Sequence, residues 1–388
     1  MKHAAAADKI PDDIVVEILF RVSTDSADLF RCAATCKRWC ALIADKSLLG
    51  RRWPDKACHR FALLGFFVQQ RRSKHEDAEL GVDRAGIYSQ QPPFFVPVNP
   101  PKKTPLGARR RFLTSFVTGV PAGLLHGATP LTARCGLLLL RLACGSHTHS
   151  VHLALCDPLT GTCDVLPPLE CPVTSISCAI LTASDYCSSD GQQRRSTPGY
   201  STFFTVLTIV DNYTGVVCQG MTRWLCMKSS KYYTFNVGIE GGNISVTELS
   251  IPAADQLSSI DYGCPTLGVA IDGTLNLFHL RRNAADLLQL DIWMPRGDDN
   301  VGEIETLWLR VGTFNLNAAL TRDGLIRVWS GEKSGTLFVF YASSWRVHRL
   351  DIQTGQVEEV TGFFREDAMP MEIDWPAFFI SRLGVHIC

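Results

Sequence analysis

The chain of 388 residues contains no apolar run of membrane-spanning length. GLLLLRLAC from Gly136 is broken by Arg141 and falls well short of the roughly 20 residues that a bilayer requires. Net charge is also lacking, with 38 Lys and Arg against 38 Asp and Glu. Beyond Phe112 the balance turns mildly acidic, 18 basic residues against 26 acidic ones, which disfavours a broad phosphate-binding surface and makes nucleic acid an unsuitable partner. The 30 glycines follow no fixed period, which excludes a collagen-like chain. No Walker loop, dinucleotide fingerprint or nucleophile elbow is present. The opening stretch MKHAAAADKIPDD has no apolar core of secretory length before its acids. Fifteen cysteines, an odd number, then read as reduced thiols, and the expected location is cytoplasmic, nuclear or both. Most of them lie in apolar contexts such as LALCD and VVCQG, where cysteine behaves as a small buried hydrophobe.

What is present begins at Ile10. Ile14, Ile18 and Val22 recur every four residues, with Val15 and Leu19 widening the stripe, so the spacing predicts an amphipathic helix from about Asp12 to Val22. Pro11 suits its first turn, and Asp12 and Asp13 suit the positive end of its dipole. Asp25 is a candidate cap for a second helix carrying Leu29, Cys32, Ala33 and Cys36 on one side. A third short helix would bring Trp39, Leu42 and Ile43 together. Three such helices are too small a body to close a core alone. Covering the remaining stripe with another protein, a few hundred Å² at roughly 25 cal/mol per Å², supplies several kcal/mol before association costs. The alternative is an ordinary helical subdomain packed on the rest of the chain.

The order Ile10-Pro11, Asp12-Asp13, Glu17-Ile18-Leu19, Arg21-Val22, Cys36-Lys37-Arg38-Trp39 and Leu42-Ile43 resembles the F-box motif, with Ile10 at a position where leucine is commoner. The resemblance implies a small three-helix F-box over residues 8–52 that docks a Skp-family adaptor protein and, through it, the cullin and RING subunits of a ubiquitin ligase. It implies Ile10, Pro11, Ile14, Ile18, Leu19, Val22, Leu29, Cys36, Trp39 and Leu42 as adaptor-binding residues. Cys32, Cys36 and Cys40 have helical spacing that invites a metal, yet no fourth ligand lies close in sequence, and Cys58 with His59 does not form a zinc knuckle.

Residues 69–111 read as a Pro- and Arg-rich, partly flexible linker, with Phe94, Phe95 and Val96 as an anchor and Arg109, Arg110 and Arg111 on a solvated loop. From 112 to 388 the chain becomes a series of five- to eight-residue apolar segments separated by Gly, Asp and Asn turns. Asp157–Gly161, Asp211–Gly215 and Asp351–Gly355 repeat the pattern D-x-x-T-G between strands, and Asp272-Gly273 and Asp323-Gly324 mark two tighter hairpins. This spacing suits four-stranded blades of roughly 40 to 50 residues. The expected fold is α+β and multidomain: a helical F-box, then a mostly antiparallel β-propeller-like domain of six or seven blades, with a β-sandwich as the alternative. DPLTG at 157–161 and LDIQTGQVE at 350–358 resemble hairpins of the propeller-like associated domain in plant, particularly grass-type, F-box proteins. Kelch and WD signatures are missing.

Trp308, Trp329 and Trp345 read as packing between blades, with a substrate cleft as the alternative for one of them. The polar loops SDGQQRRSTPG and MPRGDDNVGE are candidate recognition segments, and the substrate-binding residues are unknown. His147, His149 and His152 with Cys144 and Cys156 form the densest cluster of metal-ligand types, but in a strand 152 faces away from 147 and 149. No thiol is marked as a ubiquitin-transferring nucleophile. The expected role is therefore a non-catalytic ligase subunit without a cofactor, presenting an unknown target protein. The alternatives are a non-degradative scaffold and a ligand-binding propeller.

Overall fold

The computed structural model describes residues 10–22, 26–54, 61–69, 91–98, 105–143, 150–171, 176–182, 185, 204–209, 215–228, 231–250, 265–270, 273–282, 288–296, 305–316, 326–331, 336–341, 346–352, 354–362 and 367–384. The chain divides into two compact units. One comprises Met1–Ala62, Arg194–Phe203 and Asp374–Cys388, and the other Leu63–Gln193 and Phe204–Ile373.

The first unit is helical: α1 (Asp12–Val22), α2 (Ser26–Ala33), α3 (Lys37–Ile43), α4 (Lys46–Arg52) and, from the far end of the sequence, α5 (Trp375–Gly384). The three-helix expectation is corrected on two counts. Asp45 caps α4 by accepting from the Ser47 and Leu48 amides at 2.8 and 3.4 Å, and the apolar sequence WPAFFISRLG is helical. Asp25, the expected cap of α2, lies outside the described residues.

The second unit is a five-bladed, mostly antiparallel β-propeller. Its first blade has the order β24-β1-β2-β3, made of β1 (Phe61–Gln69), β2 (Phe94–Pro97), β3 (Arg111–Phe112) and β24 (Asp367–Asp374). The second blade comprises β4 (Thr129–Arg134), β5 (Leu137–Arg141), β7 (Leu153–Asp157) and β8 (Thr162–Val165). A short ribbon pairs β6 (Ser150–Val151) with β9 (Leu169–Glu170). A two-stranded sheet of β10 (Ser177–Thr182) and β11 (Phe204–Ile209) follows, with β10 beside both β4 and β12 (Gly215–Cys218). The third blade continues from β12 through β13 (Met221–Lys228), β14 (Lys231–Gly238) and β15 (Ile244–Ser250). The fourth comprises β16 (Thr266–Val269), β17 (Leu275–Arg282), β18 (Leu288–Pro295) and β19 (Glu305–Asn315). The fifth comprises β20 (Ile326–Ser330), β21 (Thr336–Tyr341), β22 (Arg346–Asp351) and β23 (Val357–Gly362). A parallel pairing of β15 with β19, Glu248 opposite Glu305, joins the third and fourth blades into one eight-stranded sheet.

Two boundaries differ from the sequence reading. Five four-stranded blades are present among the described residues, against the expected six or seven, and the segment 177–209 contributes the two-stranded sheet of β10 and β11. The propeller begins near residue 63 rather than 112, and 69–111 is not simply a linker. FFVP at 94–97 is a strand with Phe95 fully buried, 5.3 Å from Phe67 between ring centroids. Residues 70–90 and 99–104 lie outside the described residues.

The core occupies the seams between successive blades, as the alternation of side chains across each sheet requires. Leu277, Trp293 and Trp308 pack with Leu225 and Leu249 between blades three and four. Leu280, Leu290, Leu337 and Leu350 pack between four and five, and Phe66, Val96, Phe338 and Phe340 between five and one. Trp308 is thus an interior residue, and Trp329 lies half-buried 5.8 Å from Phe340. Trp345 lies outside the described residues.

The D-x-x-T-G turns share one construction. Asp157 Oδ1 accepts from the amides of Leu159 and Thr160 at 2.9 and 3.0 Å, and its carbonyl accepts from Gly161 at 2.8 Å. Asp351 repeats this with Thr354 at 2.8 Å and Gly355 at 2.8 Å. Both glycines have positive φ, +83° and +70°, which explains why glycine closes the motif. Asp211–Thr214 and Asp323-Gly324 lie outside the described residues.

The inner strands β4, β10, β12, β16, β20 and β24 line one cavity, whose polar groups include Arg134, Thr266, Ser330 and Glu372. Arg134 is buried and does not stand alone. It donates to the Ile180 carbonyl at 2.8 Å and grips Asp185 with both terminal nitrogens, one of them at 2.7 Å. Burial pushes the Asp185 carboxyl up. The guanidinium, the Thr182 amide and the Thr182 hydroxyl together outweigh burial and hold it below its ordinary range. A carboxylate whose folded pKa is depressed stabilises the fold above its unfolded pKa and ceases to do so as pH falls through the folded value. Asp185→Asn is therefore expected to cost about 2 kcal/mol at neutral pH, because the buried Arg134 loses the carboxylate that it grips with both terminal nitrogens. In denaturant titrations the gap to the parent protein should narrow as pH drops below about 4.

Candidate functional site

α1 separates two kinds of apolar residue. Val15 and Leu19 are each only 2% exposed and face the module's core. Ile14 and Ile18, spaced by four and so aligned along the outer side, are 48% and 40% exposed, and Ile10, two residues before the helix, is 52% exposed. Pro11 is exposed beside them, and its carbonyl receives the Val15 amide at 3.1 Å.

Charged contacts fix the position of this outer stripe. Arg38 on α3 reaches across to Asp12 at 2.7 Å and also donates to the Ile10 carbonyl, which ties the residue before the helix to the body. Glu17 accepts from Arg51 of α4 at 3.1 Å and from Arg21 at 2.7 Å, and these two arginines draw its carboxyl below the usual range. The Arg51 guanidinium lies 4.5 Å above the Phe20 ring. Each contact is exposed and individually weak, but together they cross-link α1 to α3 and α4 around the apolar line.

Behind the stripe the core is closed by the end of the chain. The Phe379 ring stacks on Phe30 at 4.2 Å between centroids and lies 5.5 Å from Trp53. Trp375 stacks on Trp53 at 6.4 Å, and Phe378 meets Phe30 edge-on at 5.4 Å. The Cys40 thiol donates to the Leu383 carbonyl at 3.8 Å. Asp374 starts α5 by accepting from the Ala377 amide at 3.3 Å. The surface that three helices alone would leave bare is thus partly covered by α5, and the outer line on α1 remains.

The residues expected to bind an adaptor fall into three groups. Ile10, Pro11, Ile14, Ile18 and Cys36 are exposed. Trp39 and Leu42 are half-buried. Leu19 and Leu29, at 2% and 1% exposure, serve the interior and offer no contact surface. Both differ in this from the exposed candidates, Leu19 lying on the inward side of α1 and Leu29 on the inward side of α2. The Val22 side chain lies outside the described residues. Phe30, Phe379 and Trp53 were missed as residues that shape the module, since the pairing of α2 with α5 has no local signature.

Among the described residues the metal-ligand types do not converge. Cys32 is half-buried, Cys36 exposed and Cys40 buried, and among the described residues no group of three His, Cys, Asp or Glu is placed to hold an ion. His152 lies 3.1 Å from the Ser150 hydroxyl, and Cys156 is buried against Cys163. Cys58, His59, Cys144, His147 and His149 lie outside the described residues, as do SDGQQRRSTPG and most of MPRGDDNVGE. No described helix is long and apolar enough to cross a membrane.

Comparison with known proteins bears on the helical module. Residues 7–52 match the F-box-like family, so the chain carries an F-box-like domain in which α1 to α4 lie. No curated protein matches the chain. Among solved structures, a putative 6-phosphogluconolactonase from Bacteroides uniformis aligns over 78% of this chain and 68% of its own, at 9% identity and a TM-score of 0.28. One from Bacteroides fragilis aligns over 74% and 69%, at 11% identity and 0.26. A post-proline cleaving enzyme from Rickettsia typhi aligns over 92% of this chain and 58% of its own, at 8% identity and 0.32. Likenesses this slight carry no enzymatic activity over to the chain.

Phe379→Ala is expected to destabilise the helical module by about 3 kcal/mol or more, since it empties a fully buried aromatic site. Hydrogen exchange should accelerate in α2, α3 and α4 and remain unchanged in β7 and β18.

Proposed function

We propose that the protein is the substrate-receptor subunit of an SCF-type cullin-RING ubiquitin ligase. One observation carries the reading: an F-box-like domain exposes Ile14 and Ile18 on the outside of a helix cross-linked by Arg38, Glu17 and Arg51, with Ile10 exposed just before it. Each isoleucine removed from water is worth about 1.5 to 3 kcal/mol relative to full exposure, less the part already covered. A Skp-family adaptor with a complementary apolar groove would cover them. Pro11, Cys36, Trp39 and Leu42 would add area at the margins, Val22 continues the four-residue spacing, and Leu19 and Leu29 would act only by keeping the helices packed.

On this reading the bond-forming chemistry belongs to the partners. The chain supplies proximity: its helical module is held at the adaptor while the propeller holds a target, whose lysines meet a bound ubiquitin-conjugating enzyme at raised local concentration. The DPLTG and LDIQTGQVE hairpins support reading the propeller as the associated domain of grass-type F-box proteins. A cytoplasmic or nuclear site of action goes with this role.

The test uses the full chain and a purified Skp-family adaptor. Ile14→Glu with Ile18→Glu is expected to weaken binding by about 100-fold, roughly 2.7 kcal/mol, while the melting profile stays unchanged because both side chains are already exposed. Failure of the parent protein to bind any such adaptor would overturn the reading.

A further inference from the structure

β7 and β8 form the antiparallel pair at the side of the second blade away from β4, and they place Cys156 directly opposite Cys163. The two sulfurs are 2.9 Å apart. Directly opposed residues in such a ladder have Cα atoms about 4.5 to 5.5 Å apart, inside the span of about 4.4 to 6.8 Å that a disulfide bridges. Closing the gap to the covalent distance of about 2.05 Å therefore needs a movement of under ~1 Å. The intervening turn is rigid, because Asp157 holds the Leu159 and Thr160 amides and the Gly161 carbonyl receives the Thr118 amide at 3.0 Å. The partners are held face to face with little to reorganise.

We propose that Cys156 and Cys163 are a reversible oxidation site, closed to a cross-strand disulfide by hydrogen peroxide and reopened by dithiol reductants. The two sulfurs are not equivalent. Cys156 is fully buried, whereas Cys163 is half-buried and is the one a small oxidant reaches. The Cys156 thiol donates to the Cys163 sulfur, which draws Cys163 below the usual thiol range, while the same contact and burial push Cys156 up. Cys163 is accordingly the nucleophile. Its thiolate attacks one peroxide oxygen, the O–O bond breaks, and a sulfenic acid forms as hydroxide leaves and takes a proton to become water. The Cys156 sulfur then attacks the sulfenic sulfur, the S–O bond breaks, and the departing hydroxyl takes the Cys156 proton as a second water. The two thiols have lost two electrons and two protons, and one peroxide has become two waters.

The flanking aspartates provide a direct readout. The reduced full chain is treated with hydrogen peroxide, its free thiols are blocked with N-ethylmaleimide, and it is cut on the amino side of aspartate. This separates the heptapeptide 157–163 from the fragment ending at Cys156. The expected result is that the two remain joined, two hydrogens lighter than their sum, and separate on dithiothreitol. In Cys156→Ala the sulfenic acid should persist on Cys163 and be captured by dimedone, and in Cys163→Ala no dimedone adduct should form at Cys156. Cys163→Ala removes a half-exposed group and keeps the hairpin's own hydrogen bonds, so it remains informative if Cys156→Ala folds poorly. Release of the heptapeptide with Cys163 alkylated after peroxide, or a Cys163 linkage to a different cysteine, would overturn the proposal.

Discussion

Both folded units depend on pairing between the two ends of the chain. β24 supplies the edge of the first blade that faces the central cavity, and the helix that begins immediately after it stacks Phe379 and Trp375 on Phe30 and Trp53. Residues 367–384 thus complete a sheet begun by β1 and a helical core begun by α1 to α4. Loop-closure cost rises only slowly with length, so a contact spanning nearly the whole sequence is thermodynamically tolerable once the aromatic burial is in place. Its cost is kinetic, since contacts so distant in sequence form late.

This dependence on distant contacts also accounts for what the sequence revealed and what it concealed. α1 was legible because its stripe, acidic first turn and Pro11 all point the same way within eleven residues. The D-x-x-T-G turns were legible because an aspartate that caps its own turn and a glycine at positive φ are local requirements. α5 was not, because WPAFFISRLG carries apolar residues that could equally build a strand, and only Phe30 and Trp53 decide the matter. PPFFVP was legible in part: Phe94, Phe95 and Val96 were read as an anchor, and Phe95 and Val96 are buried, but its prolines signal extended chain, which a linker and a strand share, and the burial of Phe95 against Phe67 distinguishes them. The sequence also marked all ten adaptor-facing candidates alike, since hydrophobicity alone cannot tell Leu19 and Leu29, which turn inward, from Ile14 and Ile18, which do not.

Charge is used differently in the two units. In the propeller the strongest pairs are interior. Arg134 and Asp185 neutralise each other beside the central cavity, and Asp291, 1% exposed, collects Arg281, Arg310 at 3.4 Å and the Thr313 hydroxyl at 2.7 Å. Such pairs add little net stability over an apolar equivalent, but they penalise any register in which one partner loses the other. In the helical module the pairs are at the surface, Arg38 with Asp12 and Glu17 with Arg21 and Arg51, where water screens them. Their role there is to hold the backbone of α1 in place without covering its apolar side.

That arrangement separates the isoleucine line from the other exposed apolar residues. Ile244 and Val246 on β15 and Val311 on β19 are more exposed than Ile14, and Leu309 on β19 nearly as much. They alternate along outer strands, where the two-residue period puts every second side chain into solvent whatever its type, and scattered exposure of this kind is ordinary for a soluble surface. Ile10, Ile14 and Ile18 have no such excuse. A helix of eleven residues can turn any one face inward, and α1 already turns Val15 and Leu19 inward with a full core behind them. A second apolar face on the same helix adds nothing to the fold. Two arginines from other helices, Arg38 and Arg51, hold it in register, and an aligned apolar surface of this kind is what the proposed docking requires.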